Sequence, residues 1–67
     1  METIVVNGES RPLPDPATVA ALIAELRLAG RRIAIERNGE IVPRSRHEQQ
    51  ALLPGDRLEI VAAVGGG

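Results

Sequence analysis

Only one stretch of this chain carries a helical hydrophobic period, and it is short. Val19, Leu22, Ile23 and Leu26 recur at i, i+3, i+4 and i+7, which places them on one face of a helix. Thr18 stands where an N-cap hydroxyl can accept a bond from a first-turn N–H. The spacing predicts a helix over 18–28. Gly30 is placed to end it in a left-handed conformation, with Arg27, Arg31 and Arg32 near the negative end of the dipole. A lone helix of this length has to bury its apolar face against something else. Most of the remaining apolar residues sit in strand-like runs, so the partner is a sheet and the class is α+β.

Thr3-Ile4-Val5-Val6 is β-branched throughout and reads as a strand. Asn7-Gly8 suits a tight hairpin, because both residues tolerate positive φ. Glu9 to Leu13 is the return strand, and Pro12, with no N–H to donate, marks it as an edge. Pro14-Asp15-Pro16 breaks regular structure. After the helix, Ile33 to Arg37 reads as a strand with Ile33 and Ile35 on one face. Asn38-Gly39 repeats the hairpin signal, and Glu40 to Val42 returns until Pro43. Arg44 to Leu53 is polar and predicts one helical turn across the end of the sheet. Leu53-Pro54-Gly55-Asp56 is a turn, and Arg57 to Val64 is the last strand. Its apolar content rises along its length, which predicts a central position. The order is ββαββ on a mixed sheet, with the helix on one face through a right-handed connection. Val19, Leu22, Ile23 and Leu26 are expected to meet Ile4, Val6, Ile33, Ile35, Leu58 and Ile60. The other sheet face is left to solvent or a partner.

Composition excludes several functions. At 67 residues the chain holds one domain, whose core is thin. It has no aromatic residue, so the core is Leu, Ile, Val and Ala, and there is no stacking platform for single-stranded nucleic acid. A net charge of −1 with no basic block argues against nucleic acid as a partner. There is no cysteine, hence no disulfide, no thiolate nucleophile and no cysteine metal site. One histidine, His47, cannot build a metal centre or a dyad alone; in its polar neighbourhood it reads as a solvated surface residue. No basic n-region precedes the first strand, and no apolar run approaches the roughly 20 residues that span a bilayer. A cytoplasmic protein, with no membrane partner, is the expectation. The acids, bases and nucleophiles of an enzyme do not converge anywhere in the pattern.

What remains is Val64-Gly65-Gly66-Gly67. Glycines visit backbone conformations closed to other residues and carry no side chain, so such a segment can lie extended in a tunnel too narrow for anything bulkier. It divides the chain into a domain over 1–64 and a flexible glycine tail over 65–67 that can carry the Gly67 carboxylate into another protein's active site. The plainer reading is a frayed terminus.

Short motifs along the whole chain carry a resemblance. Val6-Asn7-Gly8-Glu9, Thr18-Val19-Ala20, Asn38-Gly39-Glu40-Ile41-Val42-Pro43-Arg44-Ser45, Pro54-Gly55-Asp56 with Leu58-Glu59-Ile60-Val61, and the terminal glycines are similar to the ThiS family. These are the ubiquitin-like β-grasp sulfur carriers of thiamine biosynthesis. The resemblance implies a fold, the ubiquitin-like β-grasp, and a mechanism. An E1-like adenylyltransferase of the ThiF type would use ATP and Mg²⁺ to adenylate the Gly67 carboxylate. A sulfur donor protein would then displace AMP to leave a thiocarboxylate. A thiazole synthase of the ThiG type would take that sulfur. The carrier itself would bind no cofactor or metal and supply no catalytic residue. Gly65, Gly66 and Gly67 would enter the partners' active sites.

Docking residues are less constrained. Val5, Val61 and Ala63 on the open sheet face are candidates for partner contact, or ordinary strand residues. Arg44 reads equally as a partner salt bridge or as a consequence of its turn. Arg31-Arg32 reads as a helix-end pair. Asn7-Gly8 and Asn38-Gly39 read as turns and nothing more. Two other functions stay open: a sulfur carrier of another pathway, such as the small subunit of molybdopterin synthase, and a non-covalent β-grasp interaction module.

Overall fold

The computed structural model describes residues 2–62. In chain order it contains β1 (Thr3–Val6), β2 (Glu9–Pro12), helix α1 (Val19–Glu25), β3 (Ile33–Arg37), β4 (Glu40–Ile41), a 3₁₀ turn (Arg44–Arg46) and β5 (Arg57–Ala62). The five strands form one mixed sheet in the order β2-β1-β5-β3-β4. β1 and β5 are parallel, and the pairs β1–β2, β3–β4 and β3–β5 are antiparallel. The last strand is central, as its rising apolar content predicts. The short return read over 40–42 pairs with β3 as β4, so the five strands are the segments expected, and the order written in full is ββαβββ. β2 lies at an edge, where Pro12 leaves no ladder bond unmade. The expected last strand reaches Val64; Ala63, Val64 and the boundary at 64/65 lie outside the described residues.

The core is the aliphatic layer between α1 and the sheet. Ile4, Val6, Val19, Leu22, Ile23, Ile35, Leu58 and Ile60 are buried, and Leu26 and Ile33 are partly buried against them. Two further members, Val42 and Leu52, are buried as well. Each sits in a short apolar step, Ile41-Val42 and Leu52-Leu53, too brief for a period to show which member turns inward. Val42 enters the core by extending β4, its N–H donating to the Ile35 carbonyl at 2.9 Å.

Helix α1 is shorter than the sequence suggests and ends differently. Thr18 is the N-cap, its hydroxyl oxygen accepting from the Ala21 N–H at 3.1 Å. The polar connection supplies the other first-turn acceptors: Gln50 C=O takes the Val19 N–H at 3.0 Å and His47 C=O the Ala20 N–H at 2.9 Å. The stretch after Pro43 therefore docks the helix as well as crossing the sheet. At the other end the left-handed residue is Arg27, φ 60°, and not Gly30. The Leu28 N–H reaches the Ile23 carbonyl and the Arg27 N–H the Ala24 carbonyl, both at 3.0 Å. That is the Schellman pattern, and it needs an apolar residue right after the left-handed position. Leu28, half-buried against the core, fills that role and pulls the stop three residues early. Gly30, φ 82°, serves the next turn, closed by the Arg31 N–H on the Leu28 carbonyl.

Candidate functional site

Gly65, Gly66, Gly67 and Ala63 lie outside the described residues. The described part of the candidate site is the strand that leads to them, β5, and what holds it. β5 is fastened on both edges by an asparagine. Asn7, at the end of β1, sits at φ 51° and aims its side-chain amide along β5. Its Oδ1 accepts from the Ile60 N–H at 2.8 Å and its Nδ2 donates to the Ile60 carbonyl at 3.0 Å. The amide thus prolongs the parallel β1–β5 ladder by one residue that the backbone cannot supply, because the chain turns away at Gly8. Asn38, φ 52° at the end of β3, does the equivalent on the other edge: its Oδ1 accepts from the Arg57 N–H at 2.9 Å.

Asn38 also reaches the group that fixes the start of β5. Asp56 is buried, 6% exposed. Its carboxylate accepts from the Leu53 N–H at 2.9 Å, from Arg37 Nε at 2.7 Å and from Asn38 Nδ2 at 3.1 Å. Burial pushes this carboxyl up. The Leu53 N–H, the Arg37 and Asn38 donors and the Arg37 charge together outweigh that, and hold it below the usual carboxylate range. The Asp56 cluster is a clamp between the turn before β5 and the β3 hairpin.

These four residues, Asn7, Asn38, Asp56 and Arg37, are what sequence reasoning missed. The two Asn-Gly pairs were visible, but a turn explains such a pair so fully that a second task for the amide leaves no trace. The Asn7–Ile60 contact spans 53 positions, and no local pattern encodes that separation.

The proposed contact residues do not form one patch. Buried Leu58 and Ile60 face α1, so Arg57, Glu59 and Val61 face the open side of the sheet. The register adds Val5 opposite Arg57, Ala34 opposite Val61, and Ile41 opposite Glu36. Val61 is 59% and Ile41 65% exposed, so this face carries large apolar side chains in solvent. Val5 and Val61 therefore share a face, and Ile41 is a member that the sequence reading lacked. Arg44 belongs elsewhere: it lines a basin with Ala20, Ile23 and Leu28 on the helix side. His47 is half-buried rather than solvated. Its Nε2 lies 3.2 Å from the Val42 carbonyl, a distance at which an N–H there donates to that oxygen.

Among the described residues, no group of three or more His, Asp or Glu side chains could hold a metal ion, and no helix is long and apolar enough to cross a membrane. Asp56, the one buried carboxylate among the described residues, is consumed by its clamp. The geometry suits presenting a segment on a braced strand.

Comparison with known proteins agrees with that geometry. The ThiS family model matches residues 4–67. The sulfur carrier protein ThiS of Bacillus subtilis is 38% identical over 53 residues, covering 79% of this chain and 80% of that protein. A thiazole synthase of Paramagnetospirillum magneticum is 52% identical over 64 residues, which are 96% of this chain and only 20% of the synthase. The chain thus spans about a fifth of that relative's length. The crystal structure of the thiamine biosynthesis protein ThiS from Geobacter metallireducens superposes with a TM-score of 0.79 at 29% identity, covering 97% of this chain and 99% of that one. That match makes the five-stranded mixed sheet with its single helix a ubiquitin-like β-grasp. On the family match and these relatives together, the chain belongs to the ThiS family, sulfur carriers of thiamine biosynthesis.

Proposed function

We propose that this chain carries sulfur as a thiocarboxylate on Gly67 and delivers it for thiazole formation. A carboxylate is a poor electrophile and must first be activated. A Gly67 carboxylate oxygen attacks the α-phosphorus of ATP, and pyrophosphate leaves, giving an acyl-adenylate. A sulfur nucleophile then attacks the acyl carbon and expels AMP. If the nucleophile is hydrosulfide, the thiocarboxylate forms directly. If it is a persulfide on the donor protein, the acyl disulfide is cleaved by a further thiol, which ends in the donor's disulfide. The nucleotide, its Mg²⁺ and the catalytic groups belong to an E1-like, ThiF-type enzyme and to the donor. The chain supplies the acyl group and its position, and acts as a protein cosubstrate.

The observation that carries this reading is β5, central in the sheet and locked along both edges by Asn7 and Asn38, leading toward three glycines. A segment drawn into a partner's active site pulls on its root. A strand paired on two sides resists that pull better than an edge strand would. Two thiazole synthases, from Paramagnetospirillum magneticum and Magnetococcus marinus, contain a stretch similar to 96% of this chain. That favours a ThiG-type synthase as the acceptor over the molybdopterin pathway, since modules joined in one chain commonly act on one another at high effective concentration. The open sheet face, with Val5, Val61 and Ile41, is the surface we assign to the activating enzyme.

The test is an intact-mass spectrum of the protein incubated with the activating enzyme, ATP and sulfide, followed by fragmentation. The expected result is one oxygen replaced by sulfur, localised to Gly67. The reading requires a free Gly67 carboxylate, which the mass of the untreated protein reports. An unchanged mass with a competent activating enzyme leaves a β-grasp interaction module.

A further inference from the structure

We propose that the basin beyond the helix C-terminus is a docking site for an acidic segment of a partner protein, with an aliphatic side chain on its floor and carboxylates against its rim. The basin has a volume of about 730 Å³ and opens between the loop after α1 and the 3₁₀ turn. Its floor is Ile23, which is buried, with Leu28 and Ile33, which are packed against the core. The Schellman stop at Arg27 fixes Leu28 there, so the floor is set by the fold before any ligand arrives.

The rim is cationic. Arg31 and Arg32 line it from one side and Arg44 from the other, and all three are exposed. Among the described residues the one ion pair is Arg37–Asp56, which lies in the β5 clamp. Three guanidinium groups therefore share one concavity with a single carboxylate, Glu48, on a chain whose net charge is −1. One solvated arginine needs no explanation. Three around an apolar floor reproduce the composition of a protein interface, apolar at the centre and polar at the rim, with Arg favoured for its forked fit to carboxylates. A free phosphate would use the rim and leave the floor idle, so the floor argues for a peptide. Register pairs Ile33 with Ala62, so the basin opens at the end of the sheet where β5 leaves. A partner gripping the protein there holds the body at the same end as the segment it presents.

The test is a two-dimensional amide NMR titration of the full chain with a short glutamate-rich peptide carrying one central leucine. It involves no chemistry at Gly67, so it can fail while the mass experiment succeeds, and the reverse. The expected result is shifts centred on 28–33 and 44–48. Affinity should fall about tenfold in the doubly charge-reversed Arg32→Glu/Arg44→Glu protein, and comparably when the peptide leucine is replaced by glycine. Both arginines are exposed, and an unchanged amide dispersion shows that the variant still folds. Shifts centred on Val61 and Ile41, or full affinity in the variant, would overturn the proposal. So would inorganic phosphate giving the same shifts together with indifference to the leucine, which would make the basin an oxyanion site.

Discussion

Replacing Asp56 by Asn tests whether the root of β5 is held by a charge. The substitution keeps one acceptor oxygen and puts an amide where the second stands. The Leu53 N–H and Arg37 Nε share Oδ2, while Asn38 Nδ2 and Arg37 Nη2 share Oδ1, so the amide nitrogen faces two donors in either orientation. Hydrogen bonds to a charged group contribute about 1.5–3 kcal/mol each, and three residues direct four such bonds at this carboxylate. The sum is not the cost. One acceptor survives, and Arg37, 25% exposed, can return its charge to water. About 2–3 kcal/mol is the expected loss at neutral pH, against a total stability of roughly 3–10 kcal/mol for a chain of this length. For a domain this small, that is a fall in Tm on the order of 15 °C.

The pH dependence gives the sharper test. Asp56 in the folded protein titrates below its unfolded value of about 3.9. Its contribution is therefore complete above the unfolded value and lost as pH falls through the folded one. The gap between wild type and Asp56→Asn should be constant from about pH 7 to about pH 5 and close progressively below about pH 4. The measurement is urea unfolding followed by far-ultraviolet circular dichroism, since the chain has no aromatic fluorophore. A gap of the same size at about pH 3 as at about pH 7 would refute the reasoning, because below about pH 4 the unfolded chain takes up a proton at Asp56 that the clamp holds off in the folded one.

Other consequences can be checked in the same way. Asn7→Ala removes both Ile60 bonds and puts a side chain intolerant of φ 51° in the turn; a loss of about 2 kcal/mol and faster hydrogen exchange at the Ile60 amide are expected, with the Ile4 amide far less affected. Arg27→Gly relieves the left-handed strain at the helix stop and should stabilise by about 0.5–1 kcal/mol in the same urea assay. Val61→Asp places a charge on the exposed sheet face: Tm should move by no more than a few degrees, while adenylation of the chain, read by pyrophosphate release, falls at least about tenfold in kcat/KM. One alanine added after Gly67 should abolish thiocarboxylate formation on mass analysis and leave the fold untouched.

What the sequence made legible was whatever repeats locally. The period from Val19 to Leu26 placed the helix face, alternation placed Ile35, Leu58 and Ile60 in the core, and Pro12 marked an edge. The helix stop was misplaced because Gly30 carried the left-handed signal, while Arg27, an ordinary helix former, takes that conformation three residues earlier. The choice between Arg27 and Gly30 rested on whether Leu28 could reach the core, a tertiary fact. Val42 and Leu52 were invisible for the same reason, since in the pairs Ile41-Val42 and Leu52-Leu53 only the tertiary fold decides which member is buried. At the site, Val5 and Val61 could be put on one face by alternation, but Arg44 could not be separated from them until β4 was seen to carry the chain round to the helix side.

The residues that escaped share a property that bears on function. Asn7, Asn38 and Asp56 each look like turn residues and each spends its side chain on β5 or on the turn that launches it. A turn could be built at either hairpin with glycine alone, which would meet the φ requirement and leave β5 with fewer bonds. Asparagine meets the φ requirement nearly as well and adds an amide that reaches a strand neither hairpin contains. The extra bonds fall on the one strand that leads to the glycines, and on both of its edges. A domain with so thin a core has little stability to spread evenly, and this one concentrates long-range polar bonding where a partner would pull.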